Sequence, residues 1–200
     1  MDEINLKKYA NIMKEIKFRI NYLLVGINKF PNNIFMIETQ YLQIRKVLEL
    51  ISLASLVANE DVFKKYKDKY DKMYNARLIL QDIKRINPNY YPRPIIEYRN
   101  ESINIWEDCK SGFLTEKEFI KLYNKCGKLM HAHNPFSAPI DYAKFQLNLP
   151  KWIDKIMRLL NSHTIKLINS NDVYLIHMQE DSDDEIHYYI FKLVKKEESV

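Results

Sequence analysis

The sequence predicts a mainly α protein, a helical bundle of five to seven helices closed by a small C-terminal antiparallel three-stranded β-meander. Three observations carry that prediction. Apolar residues recur at helical spacing through most of residues 1–162. Only three glycines occur, Gly26, Gly112 and Gly127, which argues against a many-stranded, turn-rich fold and against glycine-rich phosphate loops. Near the end, TIKLI, VYLIHM and IHYYIFKL are joined by NSND and DSDD, the pattern of short strands and turns.

Taken in order, Asp2 is a good N-cap, and Tyr9, Ile12, Met13, Ile16, Ile20, Leu23, Leu24 and Ile27 give a helix to about Gly26. Residues 28–33, with Pro31, break the chain. The next helix, from about Ile34 to Ala58, is apolar on nearly all sides and should run through the centre of the bundle. Residues 60–86 give one or two more helices, with Phe63, Tyr66, Tyr70, Met73 and Tyr74 on one stripe. Pro88, Pro92 and Pro94 make NPNYYPRPI an extended connector. Residues 95–113 are ambiguous, since IIEY and INIW also fit a hairpin turning at Asn100 and Glu101. Thr115 with Glu118 forms a capping box that starts a helix to about Met130. Asp141 caps a further helix, which Pro150 is expected to divide. Two units result: a helical bundle over 1–162 with an irregular or hairpin insertion near 87–113, and the meander over 163–195 packed upon it.

At 46% apolar and 12% aromatic residues, the chain of 200 suits one globular domain and is far from a disordered composition. The first residues are charged throughout, no apolar run approaches the ~20 residues of a membrane span, and Cys109 and Cys126 form no CxxC pair. These features point to a reducing, cytoplasmic setting. Net charge is +5, but residues 172–200 hold eight acids against three lysines, which leaves +10 on residues 1–171. A basic body of that kind can meet a polyanion, although a solvated mixed surface gives the same total.

Two polar constellations stand out. Glu38, Arg45, Glu49 and Ser52 recur at helical spacing on the helix that otherwise looks buried, and one guanidinium could reach both carboxylates. That cluster serves either packing specificity or chemistry. In YNKCGKLMHAHNPF, Lys121, Asn124, Lys125, Lys128 and His131 share a face at the end of the capped helix, with His133 just beyond. Lysines can hold a phosphate while a histidine exchanges protons; alternatively His131 caps the helix and His133 is an idle loop residue. Gly127 lowers helix propensity by about 1 kcal/mol, so close approach by a backbone or ligand is a reason for it. Cys126, His131 and His133 match no usual zinc spacing, and neither a metal nor a cofactor is expected. His163, His177 and His187 read as packing residues of the meander. FKKYKDKYDKMY reads as a buried tyrosine stripe flanked by solvated lysines, with base stacking the rival.

The segments ETQYLQIRKVLELISL, NPNYYPRP and KCGKLMHAHNPF together resemble a group of uncharacterised bacterial proteins with such helices and a C-terminal hairpin. Residues 1–162 also resemble the HEPN superfamily, helical bundles that often dimerise and in many members cleave RNA without metal. HEPN nucleases carry an arginine followed four to six residues later by a histidine near the end of a late helix. Here the histidine corresponds to His131, and Lys125 stands at the arginine position, supplying charge without the bidentate fork. The resemblance implies His131 as acid or base, Lys125 and Lys128 on phosphate, and Glu38, Arg45 and Glu49 in support, with Arg45 a spatial substitute for the missing arginine. Three readings stay open: RNA binding with or without metal-independent cleavage, a non-catalytic interaction module, and a small-molecule sensor. RNA and a second copy of the chain are the partners expected; DNA and membrane are not.

Overall fold

Two long antiparallel helices open the chain, α1 (Glu3–Gly26) and α2 (Ile34–Ala58). The computed structural model describes all residues except 28, 30–32, 64–74, 101–102, 169, 179–184 and 193–200. Asp2 caps α1 and Asn33 caps α2, each side-chain oxygen accepting from a first-turn N–H, at 2.8 and 3.1 Å. A single turn, α3 (Glu60–Phe63), and α4 (Ala76–Ile86) follow. The tyrosine stripe Tyr66, Tyr70 and Tyr74 lies outside the described residues, as does the turn DSDD. Next come β1 (Arg93–Asn100), β2 (Ile103–Asp108), α5 (Glu116–Leu129), α6 (Tyr142–Leu160), β3 (Ser162–Lys166), β4 (Val173–His177) and β5 (His187–Phe191). The expected capping box of Thr115 and Glu118 starts α5, and the link before it turns at Gly112, whose φ of 87° needs a glycine.

As its composition implied, α2 is central and packs against α1, α4, α5 and α6. Its buried Ile37, Tyr41, Ile44, Leu48 and Ile51 meet Tyr9, Met13, Ile16, Ile20 and Leu23 of α1 in one core. Pro150 does not divide α6, which runs unbroken across it. The proline sits on the exposed side, while Leu149, Trp152, Ile153 and Ile156 are buried and hold the helix through the missing hydrogen bond. Among the described residues, no helix is long and apolar enough to cross a membrane.

The sheet corrects the expected three strands to five, in the order β2-β1-β3-β4-β5, all antiparallel. β1 and β2 form the hairpin, with Asn100 opposite Ile103. β1 then pairs with the edge of β3 that the meander leaves open, Arg93 opposite Thr164 and Pro94 opposite His163. An unfilled strand edge carries bare N–H and C=O groups, and the hairpin covers part of that edge. The sheet is also rolled. Flat, its edge strands would stand about 19 Å apart at roughly 4.8 Å per neighbour, yet the rings of Trp106 on β2 and Phe191 on β5 meet at 4.8 Å. On that face His177 Nε2 of β4 lies 3.2 Å from Glu97 of β1.

The opposite face turns His163, Ile165, Tyr174 and Ile176 toward the helices. His163 is wholly buried, as its packing role implied; its Nδ1 lies 2.8 Å from the Leu160 carbonyl and its Nε2 2.8 Å from the Tyr9 hydroxyl. A carbonyl only accepts, so Nδ1 carries the hydrogen and Nε2 accepts from Tyr9. This ring stays neutral because burial pushes its pKa down to about 4. The unfolded chain binds a proton at His163 below its ordinary value near 6.5 and the folded one does not. The contribution is therefore complete above pH 6.5 and is lost as pH falls toward 4, in total on the order of 3 kcal/mol. Denaturant unfolding at pH 7 and pH 4.5 should show the stability difference between the two shrinking by about 2 kcal/mol in His163→Gln relative to wild type. An unchanged difference would mean that His163 titrates normally in the fold.

Candidate functional site

α5 docks on α2 through one polar contact set in an apolar seam. Leu122, Tyr123, Cys126 and Leu129 form the buried face of α5. From α2, Arg45 Nε donates to Glu49 at 3.1 Å and Nη2 donates to the Tyr123 hydroxyl at 2.8 Å, and that hydroxyl in turn donates to Glu49 at 3.3 Å. The guanidinium carbon stands 4.2 Å over the Tyr123 ring, a geometry that adds cation–π attraction. Burial raises the pKa of Tyr123 against the opposing guanidinium charge, which keeps the phenol protonated as a donor. Burial likewise pushes the Cys126 thiol up to about 12, so it is an inert packing group. A Cβ at Gly127 would stand 3.4 Å from Arg45 Nη1, so the neighbour at this glycine is a side chain rather than the backbone or ligand expected.

This docking turns the next positions of α5 toward α6. Lys125 and Lys128 line an open cleft of about 380 Å³ with Lys144, Phe145 and Asn148 of α6, the loop residues Ala138 to Asp141, and Tyr41 of α2. Lys125 Nζ lies 5.3 Å from the Trp152 ring centroid. The one carboxylate in the lining, Asp141, is engaged as the N-cap of α6, accepting from Lys144 N–H at 2.9 Å. Several cations elsewhere are matched to acids, as in Lys84 with Glu116, Lys155 with Glu118 and Arg158 with Asp154. Among the described residues, no ion pair joins Lys125, Lys128 or Lys144 to a carboxylate. Three ammonium groups against the single Asp141 carboxylate leave the cavity an excess of positive charge that an anion would neutralise.

Of the residues singled out from sequence, the fold brings Lys125 and Lys128 together in the cleft and sets Arg45 with Glu49 one helical turn away. The expected network of Glu38, Arg45 and Glu49 divides in two, because Glu38 accepts instead from the Tyr142 hydroxyl at 2.8 Å. That hydrogen bond is the largest reason the Tyr142 phenol is raised. Nor does Arg45 reach the cleft as a substitute arginine; its Nε and Nη2 are committed to Glu49 and Tyr123. His131 and His133 are exposed beyond the end of α5, and Lys121 and Asn124 are exposed on its outer face; none of the four lines the cleft. Among the described residues, no group of three or more His, Cys, Asp or Glu side chains could hold a metal ion. Sequence reasoning missed Lys144 and Asn148. Their spacing of four, beside the buried Leu149, Trp152 and Ile153, marks a polar face of α6 that pairs with the Lys125–Lys128 face of α5.

Arg45 keeps part of its side chain in solvent, at 26% exposure against 29% for Glu49, so its loss should fall short of the ~3–5 kcal/mol of a broken buried pair. Arg45→Ala is expected to destabilise by about 1–2 kcal/mol in denaturant unfolding, the worth of a charged hydrogen bond and its ring contact. A loss above 3 kcal/mol would restore a buried network, and one below 0.5 kcal/mol would make the contact ornamental. No family model, no curated protein and no solved structure matches the chain. The chemistry of the site therefore rests on its own geometry.

Proposed function

We propose that this chain binds RNA, holding the phosphate backbone in the cleft between α5 and α6. The observation that carries the reading is the convergence of Lys125, Lys128 and Lys144, none of them in an ion pair among the described residues, on one open cavity. The excess of +10 on residues 1–171 supports it by drawing a polyanion toward the same body. So does the resemblance of the helical part to the HEPN superfamily, in which Lys125 takes the arginine position.

Lysine–phosphate contacts release condensed counterions, so binding should weaken with salt. Three such contacts to a single strand give a log–log slope of roughly −2. Titrating a labelled single-stranded RNA at several ionic strengths should return that slope, and Lys125→Gln with Lys144→Gln should flatten it by about 1.4. Affinity that is absent at low salt or indifferent to salt would remove RNA from the partners. The interaction module would then stand, favoured by the exposed apolar stripe Phe18, Tyr22 and Val25 along α1.

Cleavage is the further arm of this reading. His131 lies exposed three residues after Lys128, beyond the end of α5. In a metal-free reaction the ribose 2′-hydroxyl would lose its proton to this imidazole and attack the adjacent phosphorus, the P–O5′ bond would break to leave a 2′,3′-cyclic phosphate, and the departing 5′-oxygen would take a proton from water. With purified protein, chelator and labelled RNA, His131→Ala should reduce cleavage by ~100-fold or more, the usual weight of a proton-transfer group, while His133→Ala leaves it unchanged. Equal cleavage by wild type and His131→Ala, or none by either, would leave binding without catalysis.

A further inference from the structure

An occupant of this cleft has two unlike walls to satisfy. Lys125 and Lys128 come from α5, while on α6 Lys144 is followed directly by Phe145, with Pro139 and Ile140 of the loop lining the same cavity. Phe145 is braced, its ring standing edge to face with that of the buried Tyr41, with centroids 4.9 Å apart and planes at 84°. The Tyr41 hydroxyl also donates to the Phe145 carbonyl at 2.9 Å and fixes that turn of the helix. Apolar surface left open to water in a cleft is unfavourable until an apolar group covers it.

A free phosphate would neutralise the lysines and leave that wall wet, while a neutral apolar molecule would leave three ammonium groups unmatched. A nucleotide carries both halves, a phosphate and a flat base joined by one sugar. Its base can reach the wall only when unpaired, because in a duplex the faces are covered by the stack and the edge by the partner base. The polar groups around the cavity do not favour one base over another. Asp141 accepts from the Lys144 N–H at 2.9 Å, Asn148 donates to the Lys144 carbonyl at 2.6 Å, and the lysines have donors alone.

We infer that the cleft takes one unpaired nucleotide of a single strand, with its base against Phe145 and Ile140 and the flanking phosphates on Lys125, Lys128 and Lys144. The protein then discriminates by pairing state and not by sequence. The inference rests on the RNA reading above and names the class of RNA which that reading leaves open. A volume of about 380 Å³ falls within the range of small-ligand pockets, so one nucleotide occupies it while the strand continues over the surface. Bases lying on aromatic side chains inside a basic groove are a general means of holding single strands without regard to sequence.

The test is fluorescence anisotropy at low salt with the full chain and three labelled RNAs of one length: a mixed-sequence single strand, the same strand without its bases, and its duplex. The abasic strand keeps every phosphate. Wild type should bind it at least about fivefold more weakly than the intact strand, the weight of one stacked base, with the same salt slope. Phe145→Leu, which circular dichroism can show to be folded, keeps apolar bulk without the ring. It should weaken the intact strand roughly threefold, the share of an aromatic contact that area alone does not supply, and leave the abasic strand and the duplex unchanged. Equal binding of intact and abasic strands by wild type, with normal salt dependence, would overturn the unpaired-base subsite and leave RNA binding intact. An abasic deficit undiminished by Phe145→Leu, or a duplex that loses affinity with that substitution as the single strand does, would overturn it equally. Binding of none of the three RNAs would overturn both readings.

Discussion

The seam between α2 and α5 is the constraint on which the rest of the site depends. α2 is enclosed by four helices, and a helix so buried offers few polar groups to orient its neighbours. Arg45 and Glu49 are the pair that engages α5, and Tyr123 completes their triangle from across the seam. Apolar packing is tolerant of small rotations, whereas a hydrogen bond from a fixed fork to one phenol is not. With Tyr123 pinned and Gly127 lying close under the guanidinium, the rotation of α5 is set. Lys125 and Lys128 then have one direction available, toward α6.

A second polar joint ties the bundle to the sheet. Asn87, at the end of α4, donates to Asn59 at 2.8 Å and to the Lys166 carbonyl of β3 at 3.0 Å, while Asn59 donates to the Ser55 carbonyl of α2 at 2.8 Å. Tyr9 and His163 make the equivalent link from α1. These groups are buried and paired, so each specifies one arrangement of its elements, because any other leaves a donor or acceptor stranded. The meander is thus held to the helices by buried polar joints, and the hairpin pairs with its open edge. The cleft proposed for phosphate lies in the helical half alone.

Much of this was legible along the chain. Both long helices and the capping box at Thr115 follow from local chemistry that burial did not overrule, whereas the connector expected to be extended turns after Asn87, with Tyr90 N–H donating to the Asn87 carbonyl. The hairpin was ambiguous because IIEY and INIW carry apolar residues on both strand faces, and its docking onto β3 depends on an edge that no local signal describes. Pro150 misled because the helix it interrupts is anchored by buried residues on either side. For the site, Lys125 and Lys128 were readable from their own helix. Glu38 was wrongly joined to Arg45 because spacing on one helix cannot show that a residue 104 positions away, Tyr142, would take the carboxylate. Lys144 and Asn148 were overlooked for the same reason: a cleft between two helices belongs to neither sequence segment.

The central claim is that an RNA strand meets this protein between α5 and α6. Backbone amide shifts recorded by NMR while a short single-stranded RNA is added test it most directly, because they report where contact occurs without altering the protein. The account predicts that the largest changes gather at Lys125, Lys128, Ile140, Lys144, Phe145 and Asn148 and fade across the rolled sheet. Changes gathered instead on β2 and β5, or along Phe18, Tyr22 and Val25 of α1, would contradict it.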